Sequence, residues 1–135
     1  MASAQTPLDW TVTEEKVLAA LDRLIAAADP VKIVAFGSRA RGNTREDSNL
    51  DLAVILPGDT VLKDTSLWSV VSGLGFSIDL IPTNEAIHQR FRHSINSIHH
   101  DIEEEGVVLY RKGADGSPNR DAVAKLVSGR ADHAA

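Results

Sequence analysis

Three short segments of this 135-residue chain carry side chains whose types and spacing suit phosphate and metal chemistry. The first is Phe36-Gly37-Ser38-Arg39-Ala40-Arg41-Gly42. A strand that stops at a glycine and turns through a hydroxyl residue into a helix presents backbone N–H groups to phosphate oxygens. Gly37 lets the backbone approach with no Cβ in the way. Ser38 can add a hydroxyl donor, and Arg39 and Arg41 can add charge-assisted bonds. The second segment is Asn49-Leu50-Asp51-Leu52, at the opening of a strand. Side chains alternate along a strand, so Asn49 and Asp51 share one face while Leu50, Leu52, Val54 and Leu56 take the other. Two oxygen-bearing side chains placed together suit a hard cation such as Mg²⁺. The third is Asp79 within Phe76-Ser77-Ile78-Asp79-Leu80-Ile81, where a carboxylate is costly unless it is paired or binds a metal. Phe76, Ile78 and Leu80 share a face, which puts Asp79 on the opposite one. If these two strands are neighbours, Asp79 converges on Asp51 across from the phosphate loop, the layout of metal-assisted phosphoryl transfer. Each segment alone also has a plainer reading: a solvated β–α turn, a polar strand end, and an edge-strand Asp facing water.

The elements that must position these groups follow from apolar periodicity. Thr11-Val12-Thr13-Glu14 reads as a capping box with Thr11 as N-cap. Val17, Leu18, Leu21, Leu24, Ile25 and Ala28 then mark one face of a helix that Asp29-Pro30 stops. Strands are expected over 31–36, 50–56, 76–81 and 107–110, with Pro82 ending the third. Residues 59–72 read as weakly helical, with Val61, Leu62, Trp68, Val70 and Val71 as core contacts. Ile87, Phe91, Ile95, Ile98 and Ile102 predict one long amphipathic helix closed by a C′ glycine at Gly106. Its histidines, His88, His93, His99 and His100, fall mostly off that stripe and read as solvated or partner-facing. Glu103-Glu104-Glu105 reads as a solvated helix end. The fold class is therefore α/β (α+β), a small mixed sheet flanked by helices, over residues 1–112. Residues 113–135 read as a linker and short helical tail in which Val123, Leu126 and Val127 have little to pack on, and this tail is a candidate partner contact.

Bulk properties narrow the function classes. There is no cysteine, so disulfides, thiol catalysis and thiolate metal sites are excluded, and an intracellular, cytoplasmic location is expected. Neither a signal peptide nor an apolar run of membrane-spanning length is legible. A net charge of −5 argues against wrapping duplex nucleic acid, which needs a net basic face.

The combined motif resembles the minimal nucleotidyltransferases of the DNA polymerase β-like superfamily. Their signature is Gly-Ser, ten residues, then Asp-x-Asp, with a third Asp on a later strand. Here Gly37-Ser38 is followed by ten residues, 39–48, and then by Asn49-Leu50-Asp51, with Asp79 in the later-strand position. Glu105-Gly106-Val107-Val108-Leu109-Tyr110 also follows the family pattern, and the resemblance covers roughly residues 13–110. It implies transfer of a nucleoside monophosphate from a triphosphate, ATP as donor, to a hydroxyl. It implies two Mg²⁺ ions held at positions 49, 51 and 79, with Asp79 helping to deprotonate the acceptor and Gly37, Ser38, Arg39 and Arg41 holding the triphosphate. It implies an antitoxin role beside a small helical HEPN ribonuclease toxin, whose tyrosine would be the acceptor. An aminoglycoside-type activity fits less well, because the helical acceptor domain of those relatives has no counterpart in the sequence. Asn49 departs from the pattern by removing one anionic ligand, which also admits a catalytically impaired antitoxin that acts by binding alone. Asp47 could partly compensate from the loop.

Overall fold

The structure is a computed structural model that describes residues 12–40, 50–61, 66–113 and 117–128. Helix α1 (Glu14–Ala28) starts at Thr13, whose hydroxyl accepts from the Lys16 N–H at 3.2 Å. The cap is thus Thr13 rather than Thr11, which lies outside the described residues, and Lys16 at the third position cannot complete a capping box. The helix ends at Asp29, as the Asp29-Pro30 pair leads one to expect, and Asp29 takes a left-handed conformation, φ 47°.

Four strands follow the expected positions closely: β1 (Lys32–Phe36), β2 (Leu50–Leu56), β3 (Ile78–Asn84) and β4 (Val107–Arg111). They form one mixed sheet in the order β3-β2-β1-β4, in which β1 pairs antiparallel with β2 and β4, and β2 pairs parallel with β3. Pro82 does not end β3; the strand runs through it to Asn84. As the edge strand of the sheet, β3 has one side without a ladder, and an absent N–H is tolerated there.

Alternation along the strands divides the interior in two. Ile33, Ala35, Leu50, Leu52, Val54 and Leu56 join Leu21, Leu24 and Leu109 in the main core. Val34, Phe36, Ala53 and Ile55 form a smaller core on the opposite face with Ile102. Helix α3 (Ser66–Val70) is only five residues long. Leu67 and Val71, one turn apart, enter the core and leave Trp68 42% exposed, and Val61 is 68% exposed. Neither is the core contact expected from its apolarity, Val70 is partly buried against the core, and Leu62 lies outside the described residues.

The long helix expected over 87–102 is two helices, α4 (Glu85–Phe91) and α5 (Ile98–Glu105). Between them Asn96 takes φ 76°, and Ser97 caps α5 by accepting from the His100 N–H at 3.1 Å. Gly106 does follow α5, but with φ −69° it is not a left-handed cap. Glycine is required there because a Cβ would collide with the Ile102 carbonyl oxygen and with Val34 Cγ1. The C-terminal helix α6 (Arg120–Ser128) corrects another expectation: Val123 and Leu126 are fully buried in the main core. Its entry is tied down as well, the Asn119 N–H donating to the Leu109 carbonyl at 2.7 Å. Among the described residues no helix is long and apolar enough to cross a membrane.

Candidate functional site

The site is assembled where β1 ends and β2 and β3 begin. Gly37 leaves β1 with φ 81°, a conformation that L side chains rarely adopt, and opens the four-residue helix α2 (Gly37–Ala40). The positive φ is one reason for glycine here. A second is Asp51: a Cβ on Gly37 would collide with Asp51 Oδ2 and lie 3.3 Å from Asp51 Cγ. The Asp51 carboxylate therefore occupies the space that the missing side chain leaves open.

Asp51 is itself the second residue of β2, half-buried, and is the register partner of Phe36 on one side. On the other side, in the parallel ladder, its register partner is Asp79. Register partners point to the same sheet face, and neighbouring strands lie about 4.8 Å apart. The fully buried Leu50 and Leu52 flank Asp51 on the opposite face, and partly buried Ile78 and buried Leu80 do the same for exposed Asp79. The convergence of Asp51 and Asp79 beside the Gly37 turn is thus present, and it depends on β2 and β3 being neighbours.

The remaining expected site residues are less fully placed. Ser38 and Arg39 belong to α2, but their side chains lie outside the described residues, as do Arg41, Asp47 and Asn49 entirely. Among the described residues no group of three or more His, Asp or Glu side chains is placed to hold a metal ion. The two carboxylates nonetheless fit one. They are hard oxygen donors on one sheet face, held in register on neighbouring strands. An open cleft lined by Tyr110, Arg111, Ser117, Asn119 and Arg120 lies at the β4 edge, opposite β3, and holds none of these residues.

A second polar cluster was not legible in advance. His88 of α4 and His99 of α5 are buried, with their Nδ1 atoms 3.3 Å apart, and His88 Nε2 lies 3.0 Å from Glu103 Oε1. Two of the four histidines expected to face solvent are thus inside, while His93 is exposed, as are Ile87, Phe91, Ile95 and Ile98 of the apolar stripe. The break between α4 and α5 resets the helical phase, so the stripe is not one continuous face. The only advance signal was the turn-forming run Ser94, Asn96 and Ser97. His99 titrates below its ordinary range because it is buried and because His88 adjoins it. The Glu103 carboxyl is lowered chiefly by its hydrogen bond from His88.

Comparison with known proteins is informative at the family level. No curated protein matches the chain. Among solved structures, a provisionally assigned nucleotidyltransferase from Sulfolobus solfataricus overlays with a TM-score of 0.49 at 16% identity, covering 73% of this chain and 80% of that one. A toxin–antitoxin structure with AMP-PNP overlays with a TM-score of 0.48 at 20% identity, covering 87% of this chain and 86% of that one. Overlaps this loose leave the functional case to the residues themselves. The family model for polymerase beta nucleotidyltransferases, by contrast, matches residues 20–115, a span from α1 through the end of β4 that includes Gly37, Asp51 and Asp79. On that match, and with the glycine turn and paired strand carboxylates in place, the chain belongs to the polymerase beta nucleotidyltransferase family.

Proposed function

We propose that this protein transfers a nucleoside monophosphate, AMP from ATP, to a hydroxyl group with Mg²⁺ as cofactor. We further propose that the acceptor is a tyrosine of a HEPN-type toxin, for which this chain is the antitoxin. The observation that carries the transferase reading is the register pairing of Asp51 with Asp79 beside the Cβ-less turn at Gly37. The antitoxin reading is supported by the resemblance of Gly37-Ser38, the ten-residue spacing and Asn49-Leu50-Asp51 to minimal nucleotidyltransferases.

In this reading Asp51 and Asp79, with the side-chain oxygen of Asn49, hold the metal. When bound, Mg²⁺ neutralises triphosphate charge and favours the acceptor's alkoxide form. Gly37 and Ser38 orient the triphosphate, with Arg39 and Arg41 contributing charge-assisted bonds. The acceptor oxygen forms a bond to the α-phosphorus, the α–β phosphoanhydride bond breaks, and pyrophosphate leaves. Asp79, the more exposed carboxylate, takes the acceptor's proton.

Asn49 supports a second reading, in which the chain neutralises its partner by complex formation alone. Asn keeps a neutral oxygen but lacks the charge an anionic ligand would bring. Disturbing even the groups that orient metal ligands costs about 10–100-fold. The test is incubation of the protein and its Asn49→Asp variant with α-labelled ATP, Mg²⁺ and a purified HEPN-type toxin as the proposed partner. Label on the partner with both proteins supports transfer by the chain as it stands. Label with N49D alone supports the binding-only reading, and label with neither defeats the transferase reading.

A further inference from the structure

We propose that the cavity beside Trp68 is the acceptor subsite, where an aromatic ring stacks on the indole and presents its hydroxyl to Asp79. The proposal rests on the nucleotidyl-transfer reading and adds to it the place and chemical class of the acceptor.

In-line displacement fixes the direction from which an acceptor approaches. Phe36, Asp51 and Asp79 are register partners in a row across three strands, and Gly37 follows Phe36. At about 4.8 Å between neighbouring strands, the Gly37 turn lies roughly 10 Å from Asp79 along this row. A triphosphate held at that turn puts its leaving pyrophosphate at the β1 end. The attacking oxygen must then enter from the other end, past Asp79. That end is the outer edge of β3, the last strand of the sheet.

A cavity of about 380 Å³ lies at this edge, lined in part by Trp68, Ser72, Phe76 and Ile78, the residue before Asp79. Its size is at the small end for ligand pockets, enough for one ring. Ile78 packs toward the main core and Asp79 takes the opposite face, so one strand's width separates the cavity from the carboxylate. Phe76 is buried, whereas Trp68 is 42% exposed. The loop that carries the wall is held from α1. Arg23 Nη1 donates to the Val70 and Ser72 carbonyls at 3.2 and 3.4 Å, and Lys16 Nζ donates to the Gly75 carbonyl at 3.0 Å. A wall already ordered in this way costs a ligand little entropy.

The lining selects the occupant. Among the described residues around the cavity none is ionisable. A polycationic acceptor calls for carboxylates, and the end of a nucleic acid calls for cations beside its phosphates. An exposed indole with Phe76 beside it suits a flat apolar ring, stacked with offset or edge-on. Reach gives the same answer. A phenolic hydroxyl stands at the far end of a rigid side chain, so the ring can fill the cavity while the oxygen extends round the strand edge to Asp79. A serine hydroxyl, one bond beyond Cβ, gains nothing from the cavity.

The test uses the intact protein, with N-acetyltyrosinamide and N-acetylserinamide followed by saturation-transfer NMR and ATP followed by equilibrium dialysis. The tyrosine amide should bind and the serine amide should not. Trp68→Ala should weaken tyrosinamide binding at least tenfold with ATP affinity unchanged, and Trp68→Phe should restore it to within threefold of the parent. In the Asn49→Asp background, with labelled ATP and Mg²⁺, Trp68→Ala should raise KM for a tyrosine peptide at least tenfold and leave KM for ATP unchanged. Trp68 is exposed, and unchanged circular dichroism checks that the variants fold. Equal binding of the two amides, or tyrosinamide binding unaffected by Trp68→Ala, would overturn the proposal. So would a loss of ATP affinity in Trp68→Ala, which would put the nucleobase in the cavity. Tyrosinamide binding without ATP binding would defeat the transfer reading and the acceptor role with it; ATP binding without tyrosinamide binding would defeat the acceptor subsite alone.

Discussion

Replacing three glycines one at a time separates the strain of a backbone conformation from the consequence of filling the space beside it. Gly73 has φ 79° and nothing within 4 Å of where a Cβ would stand, so Gly73→Ala measures the conformational cost alone. A left-handed residue costs roughly 1–2 kcal/mol, part of it offset by the stiffer unfolded chain. A net loss of about 1 kcal/mol at a urea slope of roughly 1.5 kcal/mol/M lowers the midpoint by about 0.7 M. Gly37 has nearly the same φ, 81°, but its Cβ would meet the end of the Asp51 side chain. A carboxylate can rotate away, so Gly37→Ala should be no more than about 1 kcal/mol less stable than Gly73→Ala. Its effect on the site should be far larger, because the displaced group is the proposed metal ligand. Equilibrium dialysis with labelled ATP and Mg²⁺ should show at least a tenfold loss of affinity for Gly37→Ala and none for Gly73→Ala. Gly106 reverses the pattern: with ordinary φ, its Cβ would strike backbone and core. Gly106→Ala should cost about 2–3 kcal/mol of stability, with nucleotide affinity per folded molecule unchanged. The reasoning fails if Gly37→Ala binds nucleotide as well as the parent does, or if all three variants lose stability equally.

Two further expectations concern stability. The facing Nδ1 atoms share one hydrogen while His99 is neutral, and protonating His99 takes away its acceptor at that contact. The folded pKa of His99 is lowered, so its contribution is present above its unfolded value near 6.5 and is lost as pH falls through the folded value. Glu103, also lowered, loses its contribution at lower pH in the same direction. Urea midpoints should therefore fall between pH 7.5 and 5, and His99→Asn should flatten that fall; an equally steep profile in the variant would remove His99 from the explanation. At the C-terminus, Leu126→Ala should cost about 2–5 kcal/mol, as befits a fully buried leucine. A thermal melt unchanged by that substitution would mean that α6 is dispensable to the core.

What was legible in the sequence, and what was not, follows from how local each signal is. The bounds of β2 and the facing of Leu50, Leu52, Val54 and Leu56 could be read from alternation, which is a property of the strand itself. The Gly37 turn was legible for the same reason. That Asp79 meets Asp51 depends on strand order, which no local pattern carries, and Pro82 was misleading because its edge position was unknown. The stripe from Ile87 to Ile102 satisfied helical spacing across a segment where Asn96 and Ser97 break the helix, so its periodicity described no single face. His88 and His99 were placed outside because polarity was weighed without the partner that makes burial tolerable. The apolar residues of α6 read as unsupported because much of the surface they cover is built from α1, which is far away in sequence.

The pairing of Asp51 with Asp79 is tested most directly by Mn²⁺ binding, followed from the free-ion electron paramagnetic resonance signal in the Asn49→Asp background. Asp51→Asn and Asp79→Asn should each weaken binding at least tenfold, and the double variant should lose less than the product of the two, as expected for ligands of one ion. Asp59→Asn, at an exposed position after β2, should have no effect. Parent-like affinity in Asp79→Asn, or fully additive losses in the double variant, would contradict a shared site.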